Sequence, residues 1–445
     1  MRLSMRSTFL CMAAVTACNF LLVGCHQPEA QPSLPAVAIP IPEAPLLRIN
    51  VDQDGQSTCI EDAAPTILTI VDDIKNDRVT VTQTTTPPSP LGPKIDHYSS
   101  SKLRRIEATL CGNSNSFSYK LAASNTSLSV PREFKINGSA GFDYVTLDFY
   151  ANGSGHHVTI NSPVVADLAM GGASDQVEVK VNKFNGGDFR VTADLGPGND
   201  SFNLFTRPRP IVGSVAIRVE GKEGSDNIFL DLYDNAESFV IPQGGSIKID
   251  ASGDTLDQLV LATDNVADHG SDKIITAFRG TVHGSLQVAL YGDDTSTRLK
   301  DLQCLGSVQG LPPACVFYCQ CSNGPCPPHL PGSQPICNTP QGLENVLQTN
   351  SAYANDTVKL KLDIQADSTG VVDALVDGGL SSDAVVMVVN NESSQLSNYN
   401  ATLTGGQPHH FKSDACFASP TAVGNPSAVS VEHCDQMLPD PGSFD

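Results

Sequence analysis

The chain has no tryptophan, and aromatic residues make up only 6% of its 445 positions. Grooves that process carbohydrate stack their ligands on aromatic faces, so this scarcity weakens a sugar-processing reading. Basic residues are also scarce: 27 Lys and Arg stand against 48 Asp and Glu, a net charge of −21. Such a surface repels nucleic acid and anionic headgroups and attracts cations, which removes nucleic acid as an expected partner. The acids are spread along the chain, as solubility alone would require. Phosphate loops, dinucleotide fingerprints and zinc-protease motifs are missing. No serine has the context of a nucleophile elbow. Gly155-His156-His157 carries two adjacent histidines, which a strand would point to opposite faces. Asp293 and Asp294, after the strand-like Leu286 to Leu290, are candidate paired acids or simply a polar turn.

A long hydrophobic run is lacking too. The most apolar stretch, Phe9 to Val23, follows Arg2 and Arg6 and falls short of the roughly 20 residues of a spanning helix. It reads as an export signal ending in Leu22-Val23-Gly24-Cys25. That ending resembles the lipobox of bacterial lipoproteins. The resemblance implies cleavage before Cys25, lipid on its thiol and attachment to a membrane by several acyl chains. A second such string ends at Cys18, but its use would leave Phe20 to Val23 exposed. His26 stands where inner-membrane retention uses aspartate, so the resemblance implies the outer membrane. Without residues 1–24 the chain holds 25 basic and 48 acidic residues, a net of −23. Residues 25–47 carry Pro28, Pro32, Pro35, Pro40, Pro42 and Pro45 and form an extended tether.

Ten cysteines remain beyond Cys25: Cys59, Cys111, Cys304, Cys315, Cys319, Cys321, Cys326, Cys337, Cys416 and Cys434. An even number in an exported chain points to disulfides. They fall into three groups: Cys59 with Cys111, the six between 304 and 337, and Cys416 with Cys434. Pairing within the six stays open, and a thiolate metal site at 315–326 is the lesser alternative.

From residue 48 to 300 helical spacing is nearly absent, and short runs of period two dominate. One phrase recurs: a Gly-, Asn- or Ser-rich turn, an Asp, then apolar residues two and four positions later. It centres on Asp143, Asp175, Asp200, Asp226 and Asp257, with degenerate copies at Asp77 and Asn115 and a late copy at Asp383. From Asn115 to Asp257 the steps are about 25 to 32 residues, a period that points to a solenoid. The expected fold is therefore an all-β parallel solenoid whose coils bury their inward residues against one another. An antiparallel β-sandwich is the alternative. Residues 301–345 form a cysteine-rich module, 346–412 a further β segment of the solenoid or a separate unit, and 413–445 a tail.

Gly198-Asn199-Asp200-Ser201-Phe202 and Gly224-Ser225-Asp226-Asn227-Ile228 resemble single units of the haemolysin-type (RTX) calcium-binding repeat. That resemblance implies calcium held by Asp143, Asp175, Asp200, Asp226 and Asp257. The family's units run in tandem every nine residues, whereas here one occurs per coil. Turn formation by Gly, Asn and Asp accounts for the same residues without a metal. Together these features lead to a lipid-anchored envelope protein with a structural, adhesive or interaction role, its partner an envelope protein or an extracellular ligand. The alternative is a polysaccharide lyase or hydrolase of parallel β-helix type, which would show an acid-lined cleft along one face.

Overall fold

The computed structural model describes residues 47–50, 66–85, 92–122, 126–150, 158–181, 183–184, 187–206, 213–233, 238–254, 271–293, 355–379, 383–405, 415–419, 426–432, 434 and 436–437. All of them belong to the compact unit Ile39–Asp445. Among them there are 28 strands, two short 3-10 turns and no α-helix. No helix there is long and apolar enough to cross a membrane.

Two long sheets form the body. The first has eleven strands, running from Leu47–Asn50 through Arg105–Thr109, Arg132–Asn137, Val164–Ala169, Phe189–Asp194 and Ser214–Glu220 to Ser430–Glu432. The second has fourteen, among them Ser114–Leu121, Phe142–Phe149, Gln176–Val181, Ser201–Thr206, Asn227–Leu232, Lys273–Val282, Thr357–Ile364 and Ala384–Asn391. A short third sheet joins Thr126–Leu128, Val158–Ile160 and Lys183–Phe184. Successive strands of each long sheet come from successive coils and pair in parallel, as in Val177 with Phe202 and Phe202 with Ile228. The antiparallel sandwich is thereby excluded. Among the described residues antiparallel pairing is confined to one hairpin ribbon, Thr66–Asp73, Arg78–Thr85 and Lys94–Tyr98, at one end of the second sheet.

Alternation explains the pairing. In Ser114–Leu121 every second residue is buried, and Gln176–Val181 and Thr357–Ile364 repeat the pattern. The inward residues stack by type from coil to coil: Val145, Val177, Phe202 and Ile228 share one column of the second sheet, all fully or almost fully buried. Tyr119, Phe134, Phe149 and Phe189 meet in edge-on or tilted contacts, with centroids 4.8 to 5.9 Å apart. Slipping any coil by one residue would turn its whole apolar set outward, so the pattern fixes the register.

Strands 357–364, 371–377, 384–391 and 398–404 pair onto the coils before them in the same parallel register. The described part of 346–412 therefore belongs to the solenoid, and strands at 415–419 and 430–432 carry both sheets into what the sequence suggested was a tail. The cysteine-rich stretch 301–345 lies outside the described residues.

Candidate functional site

The recurring aspartate comes at the corner where the chain leaves the first sheet and enters the second. There the coil bends, and the amide of the Asp loses a parallel-strand partner. The side chain of the next coil replaces it. Asp143 donates its backbone N–H to Asp175 Oδ1 at 2.7 Å, Asp175 to Asp200 Oδ1 at 2.6 Å, and Asp200 to Asp226 Oδ1 at 2.8 Å. The series continues from Asp226 to Asp272 at 2.7 Å, Asp272 to Asp356 at 2.9 Å and Asp356 to Asp383 at 2.9 Å. Asn115 forms the first rung, its Nδ2 donating to Asp143 Oδ1 at 2.7 Å. Backbone pairing resumes one residue later, as in Ser201 N–H to Asp175 O at 2.9 Å. The result is one continuous ladder of eight side chains, each 3% exposed or less.

Of the aspartates expected from the sequence, Asp143, Asp175, Asp200 and Asp226 take neighbouring rungs. Asp257 lies outside the described residues, and the rung after Asp226 is Asp272. Asp272 carried a readable signal: Gly270-Ser271-Asp272-Lys273-Ile274 nearly repeats Gly224-Ser225-Asp226-Asn227-Ile228. Asp356, in Asn355-Asp356-Thr357-Val358, was equally readable. The copy at Asp77 is no rung. It caps the tight turn of the end hairpin in the left-handed region (φ 49°) and accepts from Ser99 and the Ser101 amide. Asp293 ends a strand beside Asp254 of the adjacent coil, while Asp294, His156 and His157 lie outside the described residues.

Glycines close over the ladder. A Cβ on Gly221 would fall 2.1 Å from Asp226 Oδ2, and one on Gly253 2.1 Å from Asp272 Oδ2. At these two rungs the second carboxylate oxygen thus lies against glycine backbone. For Asp175, Asp200 and Asp226 that oxygen has no hydrogen-bond partner. Burial pushes the Asp175 carboxyl up to about 8 against the lowering effect of the Asp143 amide, and the charges of Asp143 and Asp200 push the same way. Burial likewise raises Asp200 to about 7, with Asp226 and Asp194 adding to it, and Asp226 to about 7. Asp143 is also raised by burial, against donors from Asn115 and Ser139. Adjacent strands lie about 4.8 Å apart. Two full charges at that distance repel by roughly 3 kcal/mol at an effective dielectric of about 20.

The rungs do not fit calcium. A hard cation needs six to eight oxygens at about 2.4 Å. Here each Oδ1 from Asp175 to Asp383 accepts a backbone N–H, and the Oδ2 atoms of Asp226 and Asp272 face a glycine. Among the described residues no three His, Cys, Asp or Glu side chains are grouped to hold a metal.

Two further features stand apart from the ladder. Arg132 and Asp72, 1% and 0% exposed, form an ion pair at 2.8 Å beneath the end hairpin, and Tyr119 donates to the same Asp72 oxygen at 2.7 Å. Arg132 also donates to the carbonyls of Leu103 and Ser100 at 2.6 and 3.0 Å. Nothing in the sequence marked this pair. The other feature is a shallow groove of about 530 Å³ lined by Pro242, Gln243, His283, Gly284, Thr369, Gly370, Val371 and Ser397. It contains no carboxylate. His283 Nδ1 lies 3.1 Å from Thr369 Oγ1.

Of the cysteines, Cys416 and Cys434 are joined, with Cα atoms 5.8 Å apart. Cys111 is also disulfide-bonded, to a partner outside the described residues. The other seven lie outside the described residues.

Comparison of the chain with protein-family models, with curated proteins and with solved structures finds no match.

Proposed function

We propose that this chain is a non-catalytic, lipid-anchored β-solenoid of the bacterial cell envelope, serving a structural, adhesive or interaction role. The observation that carries the reading is how charge lies on the outer faces. Arg105 meets Glu107 at 2.5 Å and Glu133 of the next coil at 3.3 Å. Lys180 meets Glu178 at 2.7 Å, and Lys222 meets Glu220 at 3.2 Å and Asp194 at 3.6 Å. These acids are paired with neighbouring bases, and the groove beside His283 offers no acid to a glycosidic bond. Charge-paired faces suit contact by area, whereas substrates are processed in concave sites with convergent groups. The lipobox-like Leu22 to Cys25 supplies the anchor in this reading, placing the body on the outer membrane.

The test uses the full chain in a bacterial host fed a labelled fatty acid. The wild type incorporates label and sediments with membranes, while Cys25→Ser takes up none and leaves the membrane fraction. A wild-type chain without label overturns the anchor. Incubation with a panel of acidic and neutral polysaccharides checks the other half. Release of new reducing ends or unsaturated sugars would overturn the non-catalytic reading in favour of a polysaccharide lyase or hydrolase.

A further inference from the structure

We propose that the ladder is held together by protons: in the folded chain Asp175, Asp200 and Asp226 are carboxylic acids, and the solenoid is tightest in acid and loosens as pH rises. The geometry carries this. Three like groups stand on consecutive coils, each 1–2% exposed, each with one oxygen occupied by an amide and the other without an acceptor or donor. Among the described residues no base is paired with them. Lys222, at the same corner, turns to Asp194 and Glu220 instead. The groups flanking the three rungs are acids as well: Asp143 on one side, Asp272 on the other, and Asp194 near Asp200. The remaining neighbours, Ser174, Asn199 and Ser225, are neutral and bond among themselves, Asn199 N–H to Ser174 at 3.3 Å and Ser225 N–H to Asn199 at 2.9 Å.

The first rung shows the neutral form already built in. Asn115 is an uncharged isostere of a protonated aspartate, and its Nδ2 donates to the next rung at 2.7 Å. A carboxylic acid is likewise uncharged and keeps one oxygen to accept an amide, as Asp175, Asp200 and Asp226 do.

The direction of the pH effect follows. Burial raises the folded affinity of these groups for protons above that of the unfolded chain. Between about pH 4, where unfolded aspartate titrates, and the folded values near 7 to 8, the folded state holds more protons than the unfolded one. Stability is therefore full below that window, falls as pH climbs through it, and levels off above. Ordinary acid denaturation runs the other way.

Two measurements on the full chain test this. Infrared spectra at about pH 6 are expected to show the carbonyl stretch of protonated carboxylic acid, which an ordinary ionised aspartate lacks, weakened in Asp200→Asn/Asp226→Asn. Thermal melts from about pH 4 to 8 are expected to fall by at least about 5 °C, with a flatter profile in the same double variant. If that variant does not fold, Asp175→Asn alone is read in the same way. Absence of the acid band at pH 6, or a melting temperature that is level or rising over this range, overturns the proposal. So does a melting temperature raised by calcium with simultaneous loss of the band, which would put a cation where the protons are placed.

Discussion

At the level of single residues the corner is governed by space. Gly221 lies against both the Asp226 carboxyl and the carbonyl of Gly253, which a Cβ would approach to 2.1 and 2.7 Å. Neither neighbour is the free end of a flexible chain, because the carboxyl is held by the Asp200 amide. Gly221→Ala is expected to destabilise the fold by about 1–3 kcal/mol, the usual cost of forcing atoms into a packed site. Gly244 is a control with a different physics. Its φ of +83° disfavours a side chain, but no atom lies within 4 Å of its Cβ position. Gly244→Ala should cost only the conformational strain, about 1 kcal/mol. Urea titrations of the two variants separate the cases; equal losses would mean that the ladder corner is not tightly packed.

The same scale shows what could be read in advance. Asp143, Asp175, Asp200 and Asp226 were legible because one phrase repeats at nearly constant steps. Asp272 and Asp356 carry the phrase too, but they follow intervals of 46 and 84 residues, and a search by spacing passes over them. The role of the side chain was not legible. An Asp in a turn ordinarily caps its own backbone. Here it serves the preceding coil, a relation that exists only once the coils are stacked.

Among elements, the hairpin ribbon 66–98 was the least legible. Its first strand, Thr66–Asp73, alternates like the strands of the coils, and Lys75-Asn76-Asp77 imitates a rung. Antiparallel pairing is set by the tight turn at Ile74–Asn76 and by contacts far away in sequence, above all Arg132 with Asp72, 60 residues apart. The ribbon covers one end of the second sheet with Lys94–Tyr98, whose Lys94 and Asp96 leave a charged outer strand. Charged edges discourage further strand addition. Arg132→Met should be severe, about 3–5 kcal/mol, because it strands a buried carboxylate and two carbonyls. Removing the charge from both partners with Arg132→Met/Asp72→Leu should recover part of that loss. A double variant no more stable than Arg132→Met, measured by chemical denaturation, would mean that packing volume and not charge dominates there.

Across the whole molecule, stability is shared between neighbours, since each coil touches only the coils beside it. The two ends are closed by different means: the ribbon with its buried ion pair at one, the Cys416–Cys434 disulfide at the other. The disulfide spans a separation of 18 residues, which corresponds to about 3 kcal/mol of loop-closure entropy. That constraint acts on the final coil, where Ala415–Ser419 pairs with Ala384–Asn391 and with the two-residue strand Gln436–Met437. A linear array lets an end fray while its middle stays folded. Replacing both cysteines with serine is therefore expected to speed amide exchange in 415–432 by about a hundredfold, the equivalent of roughly 3 kcal/mol. Amides of 176–232, at the centre, should be unchanged. Phe202→Ala acts on the middle instead. Phe202 is fully buried between Val177 and Ile228, and its truncation costs about 3–5 kcal/mol. Exchange in that variant should rise on both sides of the cavity, through the coils of 176–232. Hydrogen exchange by mass spectrometry distinguishes the two patterns. If the cysteine variant instead accelerated exchange evenly along the chain, the body would unfold as one cooperative block, and the account of coils stabilised by nearest neighbours would fail.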